Sequence, residues 1–283
     1  MGLSVEVVRP RHTGFCFGVR DALELTRRTV EEGGEALALG QVVHNARALE
    51  QLEAQGLRQI GALPTSPGPS VVITAHGAPP ELFQEASRRG LNVVDTTCPL
   101  VRRVQRHAEE LGQVAPEVVV VGHSAHSEVK GVVGWAAAQG AEVHVVGSTE
   151  EAERLPWRER RGVVCQSTFP QARFREIAEV VASRTGQVEV RDTTCPVVTQ
   201  RQREALRSLL DQVDVAVVVG GRGSANTQAL AETCAQLRPT HLVESAVEVR
   251  PEWFSPGQRV GITSGTSTPS WVVDEVEAAC RAL

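Results

Sequence analysis

Three cysteines stand where a thiolate could do chemistry. Cys98 and Cys195 sit in two nearly identical segments, Val93-Val-Asp-Thr-Thr-Cys-Pro-Leu-Val101 and Val190-Arg-Asp-Thr-Thr-Cys-Pro-Val-Val198. Cys16 lies in Gly14-Phe-Cys-Phe-Gly-Val19, and the three are spaced by about a third of the 283-residue chain. Such spacing suggests three repeated units that each bring one thiolate to a shared centre, most naturally a metal cluster. Structural zinc would need a fourth ligand, and the close Cys-x-x-Cys pairing is absent. Iron–sulfur clusters usually take four cysteines. One held by three leaves an iron open to bind a substrate oxygen as a Lewis acid and to deliver electrons to it.

The segment Gly122-His-Ser-Ala-His-Ser-Glu-Val129 is the next strongest signal. Its His123, His126 and Glu128 could ligate a metal, or supply an acid/base group beside a bound anion. His44 in Val42-Val-His-Asn45 and His76 in Ala75-His-Gly77 are weaker alone. Gly220-Gly-Arg-Gly-Ser-Ala-Asn-Thr227 follows a strong strand pattern and could cradle phosphate with backbone N–H groups. Ser264-Gly-Thr-Ser-Thr-Pro269 is a second hydroxyl-rich loop. The two resemble an anion pocket of mainly neutral donors. Cys165, Cys234 and Cys280 fall within apolar strand or helical patterns and read as small buried hydrophobes.

The elements that must position these groups alternate. Short β-branched runs separated by helical stretches indicate an α/β architecture with mostly parallel sheets. Clear strand candidates are Ser70–Thr74, Glu117–Val121, Gly162–Cys165, Val215–Val219 and Arg259–Thr263; weaker ones are Val5–Arg9, Ala36–Leu39, Val143–Val146 and His241–Val243. Apolar stripes of helical period follow each of the three cysteines: Val19, Leu23, Thr26 and Val30; Val101, Val104, Ala108 and Leu111; Val198, Ala205, Leu206, Leu209 and Val213. Pro99 and Pro196 suit the first position of a helix, which puts each thiolate at the positive end of a helix dipole. His76, His126, Ser167, Ser224 and Ser267 all come just after apolar runs, at the carboxyl ends of strands where α/β sheets bind ligands. The expected units are 1–98, 99–195 and 196–283, with boundaries near the second and third cysteines.

Composition narrows the class. Hydrophobic content of 41% and charged content of 22% are ordinary for a globular protein, and a net charge of −5 offers no basic face for nucleic acid. Basic charge is carried almost wholly by arginine, with Lys130 the only lysine, and there are no tyrosines. No apolar run reaches the ~18 residues of a membrane span. The first ten residues lack a signal-peptide core. The expected compartment is the cytoplasm, where thiols stay reduced.

Taken in order, the motifs resemble the LytB family of 4-hydroxy-3-methylbut-2-enyl diphosphate reductases. Gly-Phe-Cys, Val-Val-His-Asn, Ala-His-Gly, Asp-x-Thr-Cys-Pro, Gly-His-x-x-His-x-Glu, Gln-Ser-Thr, the third cysteine, Ser-x-Asn and the late Ser-x-Pro run essentially end to end. The resemblance implies three similar α/β units in a pseudo-threefold trefoil around a central 4Fe-4S cluster ligated by Cys16, Cys98 and Cys195. It implies that His44, His76 and His126 surround the substrate diphosphate, with further contacts from Ser224, Asn226 and Ser267. Glu128 matches the acid of the proton path, and Ser167 and Thr168 the hydroxyls near the substrate alcohol. It implies reductive dehydroxylation of the allylic diphosphate to isopentenyl and dimethylallyl diphosphate, the last step of the non-mevalonate pathway, with ferredoxin or flavodoxin as one-electron donor.

Three departures stand out. Ser127 replaces a common proline, which would loosen Glu128. Ser167 replaces a threonine, which frees a rotamer. Ala225 replaces a second serine and leaves only a backbone contact there. Two rival readings are a metal-dependent hydrolase built on His123, His126 and Glu128, and a non-catalytic sensor with a labile cluster.

Overall fold

The computed structural model describes residues 4–10, 16–42, 46–195, 202–265 and 268–283, with backbone alone at 46, 47, 202, 203 and 225. In chain order the first elements are β1 (Glu6–Val8), α1 (Phe17–Gly33), β2 (Ala36–Leu39), α2 (Ala46–Gln55), β3 (Leu57–Ile60), β4 (Ser70–Ile73), α3 (Pro80–Arg88) and β5 (Val93–Asp95). Next come α4 (Pro99–Val114), β6 (Glu117–Val121), α5 (Ser127–Ala137), β7 (Glu142–Val146), α6 (Thr149–Glu153), β8 (Arg158–Cys165), α7 (Gln171–Ser183) and β9 (Thr185–Val190). The chain finishes with α8 (Gln202–Leu210), β10 (Val215–Val219), α9 (Ala225–Ala235), β11 (Thr240–Val243), β12 (Arg259–Ser264) and α10 (Ser270–Arg281).

The strands form three four-stranded, all-parallel sheets, ordered β3-β2-β4-β5, β7-β6-β8-β9 and β11-β10-β12-β1. All three follow one plan. The third sheet keeps it only because its fourth strand comes from the start of the chain, with Val7 opposite Val260. The sequence reading places β1 in a unit 1–98, but its hydrogen bonds belong to the sheet of residues 215–264. The reason is burial: β12 would otherwise present an open edge, and Val7 joins the core of Val217, Ile262 and Val276. By contact the chain divides into two compact units. One comprises Met1–Arg20, Val43–Gln51 and Pro196–Leu283, the other Asp21–Val42 and Leu52–Cys195.

Both faces of the β6–β9 sheet are covered, which is why β6 reads as an unbroken valine run. Val119, Val121 and Val163 pack against Phe174, Ile177 and Val181 of α7. Val118, Val120 and Val164 pack against Leu111 of α4 and Val129 and Val132 of α5. The stripe expected on α4 is the one buried, from Val101 to Leu111. The β10–β12 sheet is covered in the same way, by α10 on one face and α8 and α9 on the other. Each fully buried valine contributes ~1.5–3 kcal/mol, so these runs carry much of the core. The strand candidates omit β3, β5 and β9, although the run before Cys98 reads as β-like in the sequence. All are edge strands, and Leu57-Arg-Gln-Ile60 and Thr185-Gly-Gln-Val-Glu-Val190 are too polar to stand out. No helix among the described residues is long and apolar enough to cross a membrane.

Candidate active site

The two Asp-Thr-Thr-Cys segments fold identically. Asp95 Oδ1 accepts the Thr97 amide at 2.9 Å and its hydroxyl at 2.5 Å; Asp192 Oδ1 accepts from Thr194 in the same way at 3.1 and 2.5 Å. The first threonine of each pair reaches back to the neighbouring strand: Thr96 Oγ1 donates to the Ile73 carbonyl at 2.6 Å, and Thr193 Oγ1 to that of Cys165 at 2.6 Å. The cysteine amides are fixed as well, Cys98 to the Ala75 carbonyl at 3.0 Å and Cys195 to that of Ser167 at 2.7 Å. These hydrogen bonds hold the cysteine at the end of β5 or β9. Cys98 caps α4, with Pro99 in its first turn, and Cys16 directly precedes α1. The helix start at Pro196 lies outside the described residues. Cys165, Cys234 and Cys280 are buried in cores, and burial pushes their thiols well up, those of Cys234 and Cys280 to about 11.

The loops after the first strand of each sheet repeat too. Gly40, Gly122 and Gly220 each donate a backbone N–H to the end of the neighbouring strand, at Ile60, Val146 and Val243, over 2.9–3.0 Å. Four residues on, His126 and Ser224 are the caps of α5 and α9. His44 stands at the same remove from Gly40 but lies outside the described residues. Two residues further come Glu128 and Asn226. The loops after the third strands share one turn, closed by Gly77 to Thr74, Phe169 to Gln166 and Thr268 to Gly265 at 2.9–3.1 Å. His76 and Thr168 occupy equivalent positions in it; Ser267 lies outside the described residues. Among the described residues these groups, which differ in type, therefore fill matched positions.

In the larger unit the loops place five predicted residues together. Glu128 is 1% exposed. One carboxylate oxygen accepts the Ser167 amide at 2.6 Å and the other the Ser167 hydroxyl at 2.9 Å. Burial, only partly offset by these two hydrogen bonds, raises its pKa from 4.5 to about 7. Ser127 opens α5, and Ser167 clamps the Glu128 carboxylate from the loop after β8. The Glu128 amide donates to His126 Nδ1 at 3.2 Å, so the neutral ring carries its proton on Nε2. The rings of His126 and His76 meet edge to face at 5.4 Å, with Thr74 Oγ1 3.3 Å from His76 Nδ1. Gly77 follows with φ +74°, and a Cβ there would collide with Gln105.

Gln166 was not singled out from sequence. It is buried, its Oε1 accepts the His123 amide at 3.0 Å, and its Nε2 donates to Thr168 Oγ1 at 2.8 Å. It therefore ties the histidine loop to the Ser167–Thr168 loop and leaves the Thr168 hydroxyl free to donate. Its only trace in the sequence is its place before Ser-Thr. His123 is exposed, with its ring 5.5 Å from that of Phe169. His123, His126 and Glu128 do not form a trio with ligand atoms within 4.8 Å of one another; among the described residues that holds only for Glu117, Glu142 and His144, on other strands.

In the smaller unit Ser224 Oγ accepts the Thr227 amide at 3.4 Å, capping α9. Arg222 turns away from the cap to Glu244 and Glu248, at 3.0 and 2.5 Å, and pins the glycine loop to the end of β11. Ala225 is described by its backbone alone, at the first position of α9.

The family model described as LytB protein matches residues 7–281. A protein of Geobacter sulfurreducens named 4-hydroxy-3-methylbut-2-enyl diphosphate reductase is 39% identical over 273 residues, which cover 96% of this chain and 95% of that protein. One of the same name from Geotalea uraniireducens is 37% identical over 273 residues with the same coverage. A solved structure of (E)-4-hydroxy-3-methyl-but-2-enyl diphosphate reductase, described as the terminal enzyme of the non-mevalonate pathway, superposes with a TM-score of 0.78 at 33% identity. It covers 99% of this chain and 100% of that one.

Proposed function

The chain belongs to the LytB protein family, and we propose that it converts (E)-4-hydroxy-3-methylbut-2-enyl diphosphate to isopentenyl and dimethylallyl diphosphate. The reaction takes up two electrons and two protons, breaks the allylic C–O bond and releases water. One proton completes the water and the other ends on the allyl carbon skeleton. The observation that carries the reading is Glu128, a buried carboxyl group held near neutrality beside two histidines.

Membership in this family implies an iron–sulfur cluster, and the cysteines fit one. Cys98 and Cys195 stand on matched hydrogen-bonded scaffolds, and Cys98 and Cys16 precede helices, whose N-termini favour anionic ligands. In this reading Cys16, Cys98 and Cys195 would hold a 4Fe-4S cluster, which when bound would supply the two electrons one at a time and a Lewis acid for the substrate oxygen. Glu128, protonated near pH 7, gives its proton to the departing hydroxyl. The Ser167 hydroxyl holds the carboxylate it leaves behind, and the Thr168 hydroxyl donates toward the same oxygen. His126 presents Nε2–H to the diphosphate. His76, His44, Ser224, Asn226, Ser267 and the Ala225 backbone complete the cradle. Neutral donors fix the anion, and with it the carbon chain, without recruiting a competing cation. The electron donor is a ferredoxin or flavodoxin, and the compartment the reducing cytoplasm.

Anaerobically prepared protein is expected to hold about four irons with a broad absorption in the blue. It should release both products when given the allylic diphosphate and a reduced viologen. One zinc with no iron, or an intact cluster without product, would refute the reading.

A further inference from the structure

We propose that Thr227 is a positioning residue for the substrate diphosphate, an assignment that rests on the reductase reading of the Ser224 loop. Thr227 is 0% exposed, and its Oγ1 has no hydrogen-bond partner among the described residues. A buried hydroxyl in that state costs free energy. The fold does not require it. The equivalent position in the loop after β6 is Val129, whose side chain packs into the core directly under Gly122, as that of Thr227 does under Gly220. An apolar residue of the same shape therefore suits the backbone.

The surroundings of that hydroxyl show what it replaces. Opposite Val129 stands Gln166, whose amide joins the His123 and Thr168 loops. Gly265 holds the corresponding place opposite Thr227 and has no side chain with which to do the same. Thr227 Oγ1 points at that gap: a Cβ on Gly265 would strike it, and one on Gly220 would lie 2.8 Å away. The neighbouring Thr268 hydroxyl already donates to the Val219 carbonyl at 3.0 Å. Thr227 thus holds an unspent donor at the junction of the Ser224 loop and the loop after β12. An anion seated on the Ser224–Asn226 turn supplies the missing acceptor. The hydroxyl then does for the diphosphate what the Gln166 amide does for the histidine loop.

The test uses anaerobic holoprotein and inorganic diphosphate as probe, read by thermal shift and titration, beside steady-state kinetics with the allylic substrate. Thr227→Val should melt at or above the wild-type temperature without ligand. It should bind diphosphate about tenfold more weakly, the loss of one hydrogen bond to a charged group, with a matching rise in KM and little change in kcat. Thr227→Ser should restore both. Wild-type affinity and KM in Thr227→Val would overturn the proposal. So would a variant destabilised without ligand that still binds normally, since Thr227 would then serve only the fold. Should the valine variant not fold, Thr227→Ala is read in the same way. A wild type that binds diphosphate but does not reduce the substrate refutes the reductase reading alone, because binding then still reports on Thr227.

Discussion

Glu117 and Glu128 flank the same strand, and both are 1% exposed, yet they live by different rules. Glu117 opens β6 and is met by two cations. Arg161, itself 0% exposed, donates from Nε to its carboxylate, and Arg158 Nε lies 2.9 Å away. Arg161 also donates to the Arg184 and Pro156 carbonyls and to the Thr185 hydroxyl. This end of the sheet is a network of opposite charges that joins β6, β7, β8 and β9. Glu128, past the other end of β6, has only an amide and a hydroxyl of Ser167. Two neutral donors do not repay the desolvation of a carboxylate, so its proton is held to about pH 7. One end of the strand pairs its charge to join strands; the other leaves a carboxyl group unmatched, and that carboxyl group can give up a proton. Perturbed acids of this kind mark sites of chemistry.

The largest effect expected is on turnover. Glu128→Gln should lower kcat by ~10²–10⁴, the usual worth of a positioned acid, while iron content and folding hold. Unchanged turnover would erase the contrast between the two carboxylates. Glu117→Ala should act in the opposite sense. It leaves Arg161 buried without its counter-charge, at a cost of ~3–5 kcal/mol in urea unfolding, with near-normal kcat in the folded fraction.

The third effect is on pH dependence. The folded-state pKa of Glu128 is raised from 4.5 to about 7, so the native state binds the extra proton between those values. The stability this group allows is full below pH 4.5 and is lost as pH rises through about 7, by up to about 3 kcal/mol. Glu128→Gln should flatten that slope and be the more stable protein at pH 8; an unchanged slope would assign it to other groups. Turnover should decline over the same alkaline range. The smallest effect sharpens the source of the shift. Ser167→Ala removes a donor that favours the charged form, so the alkaline limb of kcat should move up by about one pH unit. Movement downward would mean that Ser167 does not act on the carboxylate.

Much of this was legible in advance, for reasons particular to each element. Valine runs such as Val118–Val121 announce a strand buried on both faces, and β6 and β10 fall where their sequences say. The repeated Asp-Thr-Thr-Cys announces a repeated scaffold because each polar group in it has a structural task. The edge strand β9 and the bridging Gln166 were not legible: an edge strand needs only one apolar face, and a glutamine before Ser-Thr looks like any loop residue. The strand β1 was misplaced in its unit because its partner lies at the far end of the chain, and no local pattern reports a pairing of that range.

The sequence by itself determined the chemistry on hand: three cysteines in strand-to-helix contexts, histidines, hydroxyls and one carboxylate just past apolar runs, and through their order the family. Tertiary structure decided which of these groups act alike. It showed His126 and Ser224 to be the same helix cap, and Glu128 and Asn226 the same position beyond it. It also decided what each of two buried glutamates meets. That depends on what the folded chain brings within hydrogen-bonding reach, an arginine from β8 for one and a serine from the loop after β8 for the other.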